Sequence, residues 1–97
     1  MERHRKTSGS SIEEQLAIED WASARRLIRK ALASSPGDHW LWTRLALTYY
    51  EQRNYKQALK HETRALALEP HCPLALWGLA GTYQMLGEVD EAVSLYR

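Results

Sequence analysis

The sequence predicts an all-α protein, an α-solenoid of antiparallel helix pairs stacked side by side. Three observations carry that expectation. Residue types recur at intervals of 34 positions, as at Ala24, Ala58 and Ala92, Pro36 and Pro70, or Leu45 and Leu79. The pairs Ala31/Ala65, Leu32/Leu66, Ala46/Ala80 and Tyr49/Tyr83 keep the same interval, and Trp21, Tyr55 and Val89 fall in register as large apolar side chains. A fixed period of this length marks supersecondary units that bury a core only against each other, and their usual product is a surface that holds another chain. Second, apolar stripes at helical spacing lie between cap-like residues and Pro or Gly stops. Third, no segment sustains the period-two alternation of a strand.

The elements follow in order. Residues 1–10 hold almost nothing to bury and read as a flexible basic and polar tail. Ser11-Ile-Glu-Glu14 has the capping-box pattern and opens a short helix to about Ile18. Asp20 caps a second helix to about Ala33, whose stripe is Trp21, Ala24, Leu27, Ile28, Ala31 and Leu32. Pro36-Gly37 stops it. Asp38 caps a third helix to about Gln52, and Asn54, with Gln57 three residues on, caps a fourth to Leu68. Pro70 repeats the stop, and Pro73 suits the first turn of a fifth helix because its missing N–H costs nothing there. Gly87 breaks that helix, and a sixth is expected over 88–97.

Composition bounds the function. Ninety-seven residues make one small domain. A formal charge of +1 supplies no field to draw in nucleic acid or an anionic membrane. The four Trp and five Tyr, with no Phe, favour half-buried sites and interfaces. Cys72 is the single cysteine, so no internal disulfide forms and a reducing compartment is suited. No secretory h-region precedes the helices, and the longest apolar runs fall short of a bilayer span. A soluble cytoplasmic protein, with no nucleic-acid or membrane partner, is the expectation.

At residues 39–72 the chain resembles a tetratricopeptide repeat, with Trp42, Leu45, Ala46, Tyr49, Tyr55, Ala58, Ala65 and Pro70 in that family's order. The next unit repeats Leu79, Ala80, Tyr83, Gly87, Ala92 and Tyr96. The segment before matches through Trp21, Ala24, Ile28, Ala31 and Pro36. The resemblance implies two and a half to three units in a right-handed superhelix over 11–97: a degenerate unit at 11–36, a complete one at 37–72 and a truncated one at 73–97. Some residues depart from the pattern. Arg53 stands where the family usually places a glycine, so Asn54 is expected to help the turn. Glu62 takes a site usually aromatic, which Tyr96 fills in the next unit, and Leu76 replaces the tryptophan found at Trp42.

The resemblance also implies a site. The first helix of each pair lines a concave side where peptides lie. By register that gives Trp40, Thr43, Arg44, Leu47, Tyr50 and Glu51, then Leu74, Trp77, Gly78, Gly81, Gln84 and Met85. The third helix points the same way by itself, because it is apolar nearly all round where a surface helix needs one buried stripe. Its extra face meets either another helix or a ligand. Gly78 and Gly81 each cost about 1 kcal/mol inside a helix. Either a peptide backbone or a neighbouring helix approaches there. The Lys and Asn ring with which some members hold a terminal carboxylate is largely missing. An amphipathic or aromatic-containing protein segment is the expected occupant, and Arg44 could pair with an acidic residue in it.

Other residues are weaker signals. His39, His61, His71 and Cys72 match no compact ligand motif, so neither a metal nor a cofactor is expected. Nothing in the sequence marks a base beside Cys72, and no catalytic constellation is expected. Arg25, Arg26, Arg29 and Lys30 read as a solvated outer face or as a contact for RNA or an acidic partner. Val89, Ala92, Val93 and Tyr96 form an apolar C-terminal stripe that no later helix covers. It fits a fragment of a longer array, or pairing with another copy or partner. The leading expectation is a protein- or peptide-binding scaffold. The alternative is a self-associating or intramolecular regulatory segment of a larger repeat protein.

Overall fold

The computed structural model describes residues 8–87. Five helices follow one another: α1 (Ser8–Ala17), α2 (Trp21–Ser34), α3 (His39–Glu51), α4 (Tyr55–Leu68) and α5 (Pro73–Met85). Each packs on its neighbour in sequence, and α3 also meets α5. The arrangement is two helix pairs and the first helix of a third, about two and a half units, in a body of 52 × 25 × 17 Å. The all-α expectation holds. The basic start at 1–7 and the expected sixth helix with its stripe at Val89, Ala92, Val93 and Tyr96 lie outside the described residues.

Caps fall largely where side-chain chemistry puts them. The Ser23 N–H donates to Asp20 Oδ1 at 3.1 Å, and hydrogen bonds from Ser23 hold the Asp20 carboxyl below its usual range. The Trp40 N–H donates to Asp38 Oδ1 at 3.0 Å, and the Gln57 N–H to Asn54 Oδ1 at 3.4 Å. Pro73 opens α5 without a side-chain cap. One start differs from the expectation. α1 begins at Ser8, inside the stretch read as a tail, so Ser11 sits within the helix rather than capping it. Burial explains why α1 exists, since Ile12 and Leu16, one turn apart, are 0% and 9% exposed in the core.

The helix ends carry the repeat in their backbone. Glu19, Arg53 and Gly87, spaced 34 residues apart, all have positive φ, at 61°, 64° and 75°. At Arg53 the closing hydrogen bonds are Arg53 N–H to Tyr50 O, 3.0 Å, and Asn54 N–H to Tyr49 O, 2.8 Å. Glu19 closes α1 in the same way, with Glu19 N–H to Leu16 O at 3.0 Å and Asp20 N–H to Gln15 O at 2.9 Å. This is the Schellman pattern, whose left-handed residue favours glycine. Arg53 therefore makes the turn itself, and Asn54 contributes the next N–H and the following cap.

One core cluster joins the first unit to the second: Ile12 and Leu16 of α1, Ala24, Ile28 and Leu32 of α2, Leu41 and Leu45 of α3. Ala46 and Ala58 are 1% and 0% exposed, and side chains this small let helices approach closely. A second, smaller cluster of Ala65, Cys72 and Ala75 seats α5.

Between α3 and α4 runs a stack of rings. Trp42 and Tyr49 stand two turns apart on α3, and the His61 imidazole of α4 lies between them. Ring centroids are 5.7 Å apart for Trp42–His61 and 5.4 Å for Tyr49–His61, with the planes within 27° and 23°. Cations close both ends, with the Arg64 guanidinium 5.6 Å from the Trp42 centroid and that of Arg25 4.5 Å from Tyr49. Arg29 also donates to the Tyr49 hydroxyl, and Trp42 Nε1 donates to Pro36 O at 2.9 Å. With Arg26 donating to Ser23 Oγ at 3.2 Å, three of the four basic residues on α2 have intramolecular roles. His61 Nδ1 has no partner, and burial, with Lys60 and Arg29 nearby, pushes the imidazole down to about 4.

Two outcomes follow. Arg53→Gly should raise the unfolding free energy in urea by up to about 1 kcal/mol, through relief of the left-handed strain. A decrease would mean that the Arg53 side chain contributes more than its backbone costs. His61 makes acid destabilising. Unfolded, it takes a proton below about 6.5, but folded it does so only near 4, so stability falls as pH drops through that window. The stability of His61→Phe relative to the native chain should therefore rise between pH 6.5 and 4, by on the order of 3 kcal/mol. Parallel pH profiles from urea titrations would remove His61 as the cause.

Candidate partner-binding groove

α3 and α5 occupy equivalent places in successive units, so the same face of each turns to the same side of the array. Between them lies a concave groove of about 410 Å³. From α3 it is lined by Thr43, Arg44, Leu47, Tyr50 and Glu51, and from α5 by Leu74, Trp77, Gly78, Gly81 and Gln84. Spacings of three and four residues put each set on one helical face. Trp77 is 78% exposed, the most exposed large apolar side chain among the described residues.

Two residues expected in the groove stand elsewhere. Trp40 packs against the first core cluster, on the side of α3 that meets the first unit, and carries the Arg44 guanidinium 5.2 Å from its ring centroid. Met85, the last residue of α5, is half exposed and is not part of the lining. Arg44 is also less free than expected. Its Nε lies 3.2 Å from Glu13 Oε2 of α1, so its natural counter-ion comes from within the chain. Thr43 is buried and its hydroxyl donates to Trp40 O at 2.6 Å. The Tyr50 ring meets Tyr55 edge-on at 5.4 Å. Burial first, and then Tyr55, Glu51 and Glu62, push the Tyr50 phenol up.

The lining also includes a residue that register left out, Glu62 of α4. It is 3% exposed. The Thr82 hydroxyl donates to its Oε2 at 2.9 Å, while Oε1 has no hydrogen-bond partner. Burial pushes the carboxyl up to about 7, and the Thr82 hydrogen bond only partly offsets it. The sequence did hold a signal, since a carboxylate stood where the resemblance implies an aromatic.

Glu62 also accounts for one of the two helical glycines. A Cβ at Gly78 would lie 2.8 Å from Glu62 Oε2, a clash, so this glycine makes room for a side chain of the neighbouring helix. At Gly81 a Cβ would meet the Tyr50 side chain, nearest at its hydroxyl at 3.6 Å, an ordinary contact.

Other candidate chemistry is limited. His39 Nδ1 lies 3.3 Å from Cys72 Sγ, so a base does stand beside the thiol, contrary to the sequence reading. Cys72 is nevertheless 2% exposed and packs under α5. Among the described residues, no three His, Cys, Asp or Glu side chains converge as a metal site would need, and no helix is long and apolar enough to cross a membrane.

Two family models, each described as a tetratricopeptide repeat, match the chain, one over 43–97 and the other over 15–61. The chain belongs to the tetratricopeptide repeat family. Human "Superkiller complex protein 3" is 33% identical over 70 residues, which are 72% of this chain and 4% of that protein. Human "General transcription factor 3C polypeptide 3" is 38% identical over 63 residues, 65% of this chain and 7% of that one. The chain thus spans a small fraction of either relative. The structure titled "MamA D159K mutant 2" superposes with a TM-score of 0.75 at 19% identity, covering 88% of this chain and 47% of that one, a likeness of fold. Repeats of this family are generally protein–protein interaction modules and typically non-catalytic.

The buried carboxylate gives a pH signature opposite in sign to that of His61. Folded, Glu62 keeps its proton up to about 7, whereas unfolded it loses it near 4.5, so its ionisation lowers stability as pH rises through that window. Glu62→Gln should be increasingly more stable than the native chain from pH 4.5 to 7, by on the order of 3 kcal/mol over the window, and level above it. Thermal unfolding at a series of pH values checks this, and a constant difference would show that Glu62 titrates as an ordinary surface carboxylate.

Proposed function

We propose that this repeat protein is an interaction module that binds a peptide, or a segment of a partner protein, in the groove between α3 and α5. The observation that carries the reading is Trp77. A large aromatic is 78% exposed inside a concavity, beside the part-exposed Leu74 and opposite Leu47 and Tyr50. Exposed aromatics in concave sites supply much of the binding energy where a partner covers them. No constellation of nucleophile, base and oxyanion donors competes with this reading among the described residues.

The groove sets the size of its occupant. Leu74 to Gln84 spans ten helical steps, roughly 15 Å, and an extended chain covers that in about five residues. Aliphatic or aromatic side chains would meet Trp77, Leu74 and Leu47, as in an amphipathic or aromatic-containing segment. The lone thiol, buried at Cys72, suits a reducing cytoplasmic setting.

Selection from a random twelve-residue peptide library displayed on phage, followed by fluorescence anisotropy, tests the reading. Selected peptides should bind Trp77→Ala and Leu47→Arg at least about 30-fold more weakly, as expected for loss of a hot spot of 2 kcal/mol. Circular dichroism would establish that both variants keep their helicity. Equal affinity for native and variant chains would move recognition away from this groove.

A further inference from the structure

We infer that the groove selects a segment carrying a basic side chain, Lys or Arg, and that Glu62 is the residue that receives it. The inference deepens the proposed function and rests on that reading of the groove.

The carboxylate is held in place and incompletely served. Oε2 is held by the Thr82 hydroxyl and packs against α5 at Gly78, where a Cβ would stand 2.8 Å from it. Oε1 has no partner, although the residue is 3% exposed. A buried carboxylate with one oxygen unsatisfied is costly, and apolar packing of the same volume would avoid the cost. Glu62 belongs to the groove lining, so the groove is the side from which a partner's donor would approach it.

Among the described residues, no cation supplies that donor. Arg44, the one basic residue in the lining, is paired with Glu13 and stacked on Trp40. Glu51 adds a second carboxylate to the lining against the single guanidinium of Arg44, so the groove becomes net acidic as Glu62 ionises. Charge complementarity then favours a cationic occupant. The aromatic faces of Tyr50 and Trp77 suit the alkyl stem of Lys or the plane of Arg on its way to Glu62. A neutral donor could fill Oε1, but it would leave the ionised carboxylate without a counter-charge.

Proton linkage supplies a second readout. Burial holds the Glu62 carboxyl near 7, and a cation beside it favours the ionised form, so binding of a basic segment tightens as pH rises through that value. Arg44, Tyr50 and Glu51 are the ionisable groups of α3 that share the groove lining with Glu62, and α5 contributes none to that lining.

The test uses the peptides selected from the phage library and lost on Trp77→Ala. Those groove-dependent peptides should be enriched in Lys or Arg. Changing the basic residue to norleucine should weaken binding to the native chain at least tenfold, yet change binding to Glu62→Gln by less than about twofold. Affinity for the native chain should rise several-fold from pH 6 to 8, while Glu62→Gln stays level. The isosteric Gln keeps an acceptor for Thr82, and circular dichroism confirms its fold. Groove-dependent peptides without a basic residue, or an equal norleucine effect in both proteins, would overturn the role of Glu62 and leave the groove standing. If no selected peptide depends on Trp77, the groove and this inference fall together.

Discussion

The close crossing of α3 and α4 is the constraint on which the rest of the structure depends. Ala46 and Ala58 are so small and so fully buried that the two helices can lie in near contact. That proximity brings the α4 ring of His61 between Trp42 and Tyr49 along one side of the pair. On another side it carries Glu62 beneath α5 and into the lining of the groove. A larger residue at either alanine would separate the rings and lift the carboxylate from its place against Gly78, so the ring stack and the groove lining share one geometric origin.

His61 and Glu62 are consecutive residues with opposite electrostatic problems. Burial deprives the first of its proton and obliges the second to keep one. Their contributions to stability therefore slope in opposite directions where the two windows overlap, and partly cancel between them. The imidazole finds compensation in aromatic faces on both sides. The carboxylate has the Thr82 hydroxyl on one oxygen, and each group keeps one buried atom, His61 Nδ1 and Glu62 Oε1, without a hydrogen bond.

The helix ends show how a repeat persists when its residues change. Positions 19, 53 and 87 share a left-handed backbone, though only the third is glycine. The hydrogen bonds that close the helix at Glu19 and at Arg53 are main-chain bonds, so they tolerate any side chain at a modest cost in strain. α1 makes the same point. Its sequence matches the repeat weakly, yet it forms because Ile12 and Leu16 find a core to join.

The sequence by itself determined the all-α array, the order and most limits of the helices, and the face of α3 and α5 that forms the groove. These depend on local signals, namely Asp20, Asp38 and Asn54 as caps, Pro36 and Pro70 as stops, and apolar stripes with a helical period. Ten of the twelve residues assigned to the concave side by register do line it, because register fixes the direction of a side chain along a helix. Only the tertiary structure decided the remainder. Trp40 turned to the first unit because a core cluster there accepts it, and Arg44 turned to Glu13. Gly78 was legible as an anomaly, but its cause sits sixteen residues earlier in the chain, at Glu62. Burial, counter-ions and unfilled hydrogen bonds arise between helices distant in sequence, and no spacing within one helix encodes them.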